Sequence, residues 1–203
     1  MGLAFWLTLT GSALFCVAPV IYILHVHRQE ITPNPATWFI WALVSSSNAS
    51  FYYTNAPQNE KFLAILAVLS AVVMMIVFAY TRYKHSFGVM RWVEWASIVL
   101  TGTVMLIWAT TRGLEGAEGL ASAMMQAPML IGFIPTYIGL TRGNGRERPW
   151  PWIFGGSAYV FQIAALTLSP DQDWTRYAWP IVNGLIGNGG VILLIFFSNK
   201  RRD

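Results

Sequence analysis

The chain has 203 residues, 55% of them hydrophobic and 11% charged, with a mean hydropathy of +0.49 and a formal charge of +4. A water-soluble domain averages about 25% charged residues, so this chain has too little polar surface to be one, and an integral membrane protein is expected. The single cysteine, Cys16, lies in an apolar run, excludes an intramolecular disulfide and carries no information on compartment.

Seven runs approach the length of about 20 apolar residues that a spanning helix needs: 3–24, 36–54, 62–81, 89–111, 119–140, 152–168 and 177–198. The first has no basic stretch before it and is full spanning length, so it is read as a retained helix rather than a cleaved signal. The second follows Thr32-Pro33-Asn34-Pro35 and holds Ser45, Ser46, Ser47 and Asn48. The fourth contains Arg91 and Glu94, the only charges inside any run. The fifth holds Pro135, and the sixth begins beside Pro149 and Pro151 and holds Gln162. The seventh holds Asn183 and Asn188 among Gly184, Gly187, Gly189 and Gly190. These glycines serve close helix approach rather than a phosphate loop, because no Lys-Ser or Lys-Thr follows them. The connections are too short for a soluble domain.

If the seven helices cross in order, one face receives Arg28, Arg82, Lys84, Arg91, Arg142, Arg146, Arg148, Lys200, Arg201 and Arg202, and the other only Lys61, Arg112 and Arg176. That asymmetry predicts an outside N-terminus and a cytoplasmic C-terminus in the plasma membrane. It explains the basic residues without a nucleic-acid partner. All ten tryptophans fall near helix ends on this map, as an interfacial aromatic belt would have them.

An internal repeat is visible at an offset of 116, which carries Pro19 onto Pro135, Pro33 onto Pro149 and Pro35 onto Pro151. The offset skips four crossings, so both copies keep one orientation. The expected fold class is therefore an all-α integral membrane protein of seven transmembrane helices in a 3+1+3 arrangement. A three-helix bundle over 3–84, a linker helix over 88–112 and a second bundle over 117–200 compose it, and parallel repeats of this kind hold substrate near the midplane between them.

The proline inside the first helix of each unit, in Ala18-Pro19-Val20-Ile21-Tyr22 and Ile134-Pro135-Thr136-Tyr137, and the proline opening the next helix make the chain resemble the SWEET and PQ-loop group of seven-helix transporters. It departs from the Pro-Gln pattern, with Pro19-Val20 and Pro135-Thr136. The resemblance implies a sugar-like solute and hinge roles for Pro19, Pro35, Pro135 and Pro151, with Pro33 and Pro149 as substitutes. One proline of each Pro-x-Pro pair is expected to start a helix, and the recurrence of the pair to mark equivalent bending points in the two halves.

Polar side chains at depth tend to face a bundle interior, which nominates Ser46, Asn48, Gln162, Asn183 and Asn188 as substrate-binding residues in one central cavity. At the offset of 116, Ser46 matches Gln162, whereas Ala67 and Val72 stand opposite Asn183 and Asn188, so the pocket is lopsided. A retinal photoreceptor is excluded because the seventh run has no lysine. No catalytic, cofactor or metal role is expected, since His25, His27, His85 and Glu94 map to the cytoplasmic rim and His25 and His27 do not share a helical face. The partners expected are a small solute, membrane lipid and, as an option, further copies of the chain. Lacking an acidic group or histidine at depth apart from Glu94, the protein is expected to be a facilitator of an uncharged polar solute, not an ion-driven pump. The alternative is a non-transporting receptor or sensor on the same plan.

Overall fold

The computed structural model describes residues 2–55, 58–111, 118–143, 145–170 and 174–199; Arg112, Lys200, Arg201 and Arg202 of the charge map lie outside them. Among the described residues there are seven helical rods and no strand. These are α1 (Leu3–His27), α2 (Pro35–Asn55), α3 (a 3-10 stretch Gln58–Ala64 running on into Ile65–Tyr83), α4 (Trp92–Thr111), α5 (Glu118–Thr141), α6 (Pro149–Thr167) and α7 (Thr175–Trp179, a π-helical stretch Pro180–Asn188, then Gly189–Asn199).

Local chemistry sets the helix starts. Asn34 caps α2: its Oδ1 accepts the N–H groups of Ala36 and Thr37 at 3.0 and 3.2 Å, satisfying two of the first-turn donors that no carbonyl can reach. Its Nδ2 donates to Glu94 Oε1 at 3.0 Å, and Glu94 Oε2 accepts the Arg91 N–H at 2.8 Å. Glu94 thereby caps α4 and braces it to α2. The rods α2 and α6 begin at Pro35 and Pro149, where a fixed φ suits the first turn.

Four rods, α1, α3, α4 and α7, are long and apolar enough to cross a membrane. The remaining three, expected as spans, fall below that mark. Serines and Asn48 dilute α2, Pro128 and Pro135 interrupt α5, and Gln162 and two prolines dilute α6. Outward faces are strongly apolar where the rods are least covered, as at Val99, Leu100, Leu106 and Ile107 of α4 and Leu193, Phe196 and Phe197 of α7. An apolar surface of this extent suits lipid and not water.

Within the bundle α3 lies between α1 and α2, and α7 between α5 and α6; α1 packs along α6, and α2 along α5. Six rods thus close into a ring, with α4 outside against α5 and α2. At one end the Thr32 N–H donates to the Arg146 carbonyl at 3.1 Å, the Gly88 N–H to the Pro33 carbonyl at 3.0 Å, and His27 Nδ1 pairs with the Tyr80 hydroxyl at 3.0 Å. This end collects the finishes of α1, α3 and α5 and the starts of α2, α4 and α6, and with them Arg28, Arg82, Lys84, Arg91, Arg142, Arg146 and Arg148. We refer to it as the basic end. It follows that α1 runs with α5, α2 with α6, and α3 with α7.

Two expectations are corrected. The tryptophans do not all form a belt: Trp6, Trp92, Trp95, Trp150 and Trp174 are exposed, but Trp38, Trp41, Trp108, Trp152 and Trp179 are buried. Two of these pack around Trp41, whose ring stands 5.3 Å from Trp38, 5.6 Å from Trp152 and 4.5 Å from Phe133. The hinge prolines divide likewise. Pro19 and Pro135 lie inside helices, where a hydrogen bond is lost and a bend results. Pro35 is the first residue of α2 and Pro151 the third of α6. First-turn N–H groups have no helical partner to lose, so neither bends its helix. The first residues of α2 and α6 are 114 apart, an alignment that pairs Trp38 with Trp152 and Asn48 with Gln162 instead of Ser46 with Gln162.

The α5–α7 contact depends on a missing side chain. A Cβ on Gly187 would overlap the Phe133 ring, and that ring is held by Trp41 and by a stacked Tyr137 at 5.7 Å. Gly187→Ala is expected to destabilise the fold by about 1–3 kcal/mol through overpacking, whereas Gly102→Ala, facing open space, should leave the thermal midpoint in detergent unchanged or raise it.

Candidate functional site

A cavity of about 40 Å³ lies at the centre of the ring, walled by all six of its rods. Its walls are mainly aromatic, with Phe15 and Tyr22 from α1, Trp38 and Trp41 from α2, Phe133 from α5, and Trp152 and Tyr159 from α6. Pro19 and Pro151 complete the apolar lining, and Asn183 and Asn188 of α7 supply carboxamides. At this volume it has room for a few water molecules, well below the roughly 300 Å³ at which ligand pockets begin. The structure is therefore contracted around its centre.

The two asparagines reach one cavity because of the π-helical stretch. Five residues along an α-helix is about 140° around the axis, at 100° per residue, and would send them to different faces. A π turn closes at i→i+5, and here Asn188 Nδ2 donates to the Asn183 carbonyl at 2.6 Å. Asn183 Nδ2 in turn donates to the Tyr159 hydroxyl. Tyr159 also shares a hydrogen bond with Ser70 of α3, and Ser70 donates to Ser45 of α2 at 3.3 Å. A polar seam thus crosses the interior from α2 to α7, and its Tyr159, Asn183 and Asn188 line the cavity.

Of the residues nominated from sequence, Asn183 and Asn188 line the cavity. Asn48 and Gln162 are buried beyond it, 13 residues into α2 and α6. Gln162 Nε2 donates to the Leu63 carbonyl at 3.1 Å. Its Oε1, and both side-chain polar atoms of Asn48, have no hydrogen-bond partner among the described residues. Ser46 is the misassignment. It is exposed and returns its hydroxyl to the Ala42 carbonyl at 2.7 Å, and its neighbour Ser45 faces inward instead. Sequence reading missed the aromatic walls, having assigned the tryptophans to a belt.

It also missed Glu147, in the turn before α6. Tyr22 donates its hydroxyl to Glu147 Oε1 and Trp152 its Nε1–H to Oε2, each at 3.2 Å, while Trp38 Nε1 donates to the Tyr22 oxygen at 3.0 Å. This knot closes the cavity at the basic end. Burial pushes the Glu147 carboxyl up to about 8, and the two long hydrogen bonds only partly oppose the shift. Beside it a second link, between the hydroxyls of Thr37 and Thr136 at 3.0 Å, ties α2 to α5.

At the far end of the bundle the contact between α3 and α7 is ionic. Glu60, in the 3-10 start of α3, receives Arg176 Nη2 from α7 at 3.0 Å and the Ser169 hydroxyl at 2.7 and 2.8 Å; Glu60 and Ser169 are buried and the Arg176 side chain is 12% exposed. Among the described residues no group of three His, Cys, Asp or Glu could hold a metal ion.

The chain matches no family model, no curated protein and no solved structure, so the reading of this site rests on its geometry. Removing one member of a buried ion pair leaves the other uncompensated, typically at 3–5 kcal/mol. Arg176→Ala is accordingly expected to destabilise by about 3 kcal/mol, and Glu60→Gln/Arg176→Gln by less than Arg176→Ala alone, read as thermal midpoints in detergent.

Proposed function

We propose that the chain is a plasma-membrane transporter that moves a small uncharged polar solute, sugar-like by its resemblance to the SWEET and PQ-loop group, by facilitated diffusion. Two parallel three-helix units, 3–84 and 117–200, joined by a linker helix over 88–112, would alternate access to the central cavity. The basic end faces the cytoplasm on this reading.

One observation carries the proposal: a cavity walled by both groups of rods lies in a bundle whose two ends are held by different, separable contacts. Toward the basic end these are Glu147 with Tyr22 and Trp152, and Thr37 with Thr136; toward the far end, Glu60 with Arg176 and Ser169. The packing order supports the two-unit plan, since α3 between α1 and α2 is repeated by α7 between α5 and α6. Glu60 and Arg176 are themselves 116 residues apart, the repeat offset, so matched positions of the two units grip each other. The lining suits the solute class. Flat aromatic faces offer apolar contact to the C–H surfaces of a polyol, carboxamides donate and accept, and no charged side chain lines the cavity.

The purified chain in liposomes should equilibrate a neutral solute, found by a thermal-shift screen of sugars, vitamins and amino acids, with no imposed gradient. Asn183→Ala and Trp152→Ala should each slow that flux about tenfold, equivalent to about 1.4 kcal/mol of lost solute contact. Ligand-induced stabilisation without flux would assign the chain to the receptor class instead, and concentrative uptake abolished by an ionophore would overturn facilitated diffusion.

A further inference from the structure

The connection between α3 and α4 builds a groove that the ring does not use. The chain leaves α3 through a tight turn, in which the N–H groups of Lys84, His85 and Ser86 donate to the carbonyls of Tyr80, Arg82 and Thr81 at 2.9, 3.2 and 3.1 Å. His85 takes the left-handed conformation, φ 51°, common just past a helix end. The Gly88 N–H then ties the connection to the Pro33 carbonyl ahead of α2. From this anchor α4 packs against α5 and α2, and a groove of about 460 Å³ stays open between α2, α3 and α4.

The groove is apolar along its length and cationic at one end. Phe39 of α2, Phe78 of α3 and Phe87 of the connection form a continuous run of rings, with centroids 5.9 and 5.6 Å apart. Met90, Trp95 and Ile98 line it from the α4 side. From Trp92, the first residue of α4, to Ile98 this lining runs about 9 Å away from the basic end, at 1.5 Å per residue. Arg82 and His85 border the groove at the basic end, and both are exposed. Neither side chain has an ion-pair or hydrogen-bond partner among the described residues. No acidic side chain lines the groove, and Glu94, one residue before Trp95, is buried and held by Asn34 and the Arg91 N–H.

We infer that this groove is a binding site for an anionic glycerophospholipid of the leaflet at the basic end, with the lipid phosphate at Arg82 and His85 and an acyl chain along Phe39, Phe78 and Trp95.

Charge and shape together select this occupant. A free phosphate would engage the guanidinium, whose parallel N–H groups match phosphate oxygens, but would make no use of the aromatic run. A lipid with a zwitterionic head would fill the apolar part while bringing a cation of its own to a basic mouth. An anionic phospholipid matches both parts at once, and basic pockets between spanning helices take anionic head groups in this way. Lys84 lies next to the mouth without lining the groove, its Nζ standing 5.9 Å over the Tyr83 ring. Arg91 lines the vestibule on the other side of Gly88. Arg82 is therefore the guanidinium that belongs to the site. On the orientation proposed above the leaflet is the cytoplasmic one, whose surface is anionic, but the site itself does not depend on transport.

Trp95 reports on the groove and Trp150 is its control. They are 59% and 58% exposed, each near the start of a helix that begins at the basic end, so bulk lipid reaches both, but only Trp95 lines the groove. The full-length protein is placed in phosphatidylcholine nanodiscs with a rising mole fraction of phosphatidylglycerol brominated on its acyl chains, which quenches indole fluorescence on contact. The share of each ring is read by difference from Trp95→Phe and Trp150→Phe. Trp95 should reach half-quenching at a mole fraction about fivefold below that for Trp150, and Arg82→Gln should raise the Trp95 value about fivefold, the effect of one cation at an anionic lipid. Lys84→Gln should leave it nearly unchanged, and brominated phosphatidylcholine should quench the two rings alike. The proposal is overturned if brominated phosphatidylglycerol also quenches both rings at one mole fraction, if brominated phosphatidylcholine separates them equally well, or if Arg82→Gln and Lys84→Gln act alike. Loss of the Trp95 preference on adding millimolar inorganic phosphate would overturn it in favour of a free-phosphate site.

Discussion

The arrangement of this bundle depends on which polar side chains in an apolar surrounding can be satisfied by their own helix and which cannot. A serine or threonine on a helix can satisfy its own hydroxyl by turning back to the carbonyl one turn earlier. Ser46, Ser47, Thr103, Thr110 and Thr111 all do so, to Ala42, Leu43, Val99, Leu106 and Ile107. These residues are free to face outward. Asparagine and glutamine carry both donors and an acceptor, and Asn48, Gln162, Asn183 and Asn188 all face inward, where Gln162 reaches the Leu63 carbonyl, Asn183 the Tyr159 hydroxyl and Asn188 the Asn183 carbonyl. The carboxamides, rather than the hydroxyls, fix which faces of α2, α6 and α7 meet at the centre.

The same rule marks what was legible in the sequence. All four nominated carboxamides face the interior, while Ser46 faces outward and Ser45 inward, because a serine has the outward option. The two asparagines of α7 were legible as residue types but not as neighbours. An α-helical period separates them, and only the π turn following Pro180 brings them together. The buried tryptophans were misread because the sequence position of a ring near a helix end is the same whether it faces lipid or a neighbouring helix. Trp38, Trp41 and Trp152 are near ends and also inward. Glu147 was hidden by its context. Between Arg146 and Arg148 it reads as one charge in a basic loop, and only the return of that loop over α1 sets it against Tyr22.

The proline spacing read as a repeat can be set beside the helix starts. Matched rods run the same way, and the packing order of the first three is repeated by the last three. The prolines that revealed the offset do not occupy equivalent turns, however. Asn34 caps α2 immediately before Pro35, while α6 starts two residues before Pro151. A cap decides a helix start by satisfying specific N–H groups, and it prevails over the alignment of prolines that tolerate several first-turn positions.

The two ends of the cavity differ in kind, and that difference bears on how a contracted centre could open. At the far end a buried ion pair and a serine bind α3 to α7, a contact that is strong when intact and costly to leave half-made. At the basic end the closing groups are neutral hydroxyls and indoles around one carboxyl, joined by bonds near 3.2 Å, long for hydrogen bonds and correspondingly weak. Interior prolines sit where α1 and α5 approach that weaker end: Pro19 against the cavity and Pro135 against the adjoining vestibule. Each leaves its helix one hydrogen bond short, so the last two turns of α1 and α5 can tilt without breaking an intact ladder. The rods that carry Tyr22 and Thr136 are the ones with this freedom, and the residues they carry are those that close the basic end. Displacement there would separate Tyr22 from Glu147 and Thr136 from Thr37 while leaving the far-end ion pair and the polar seam of α7 untouched. The fold thus concentrates its pliable backbone and its weaker contacts at one end of the bundle, and its strongest contact at the other.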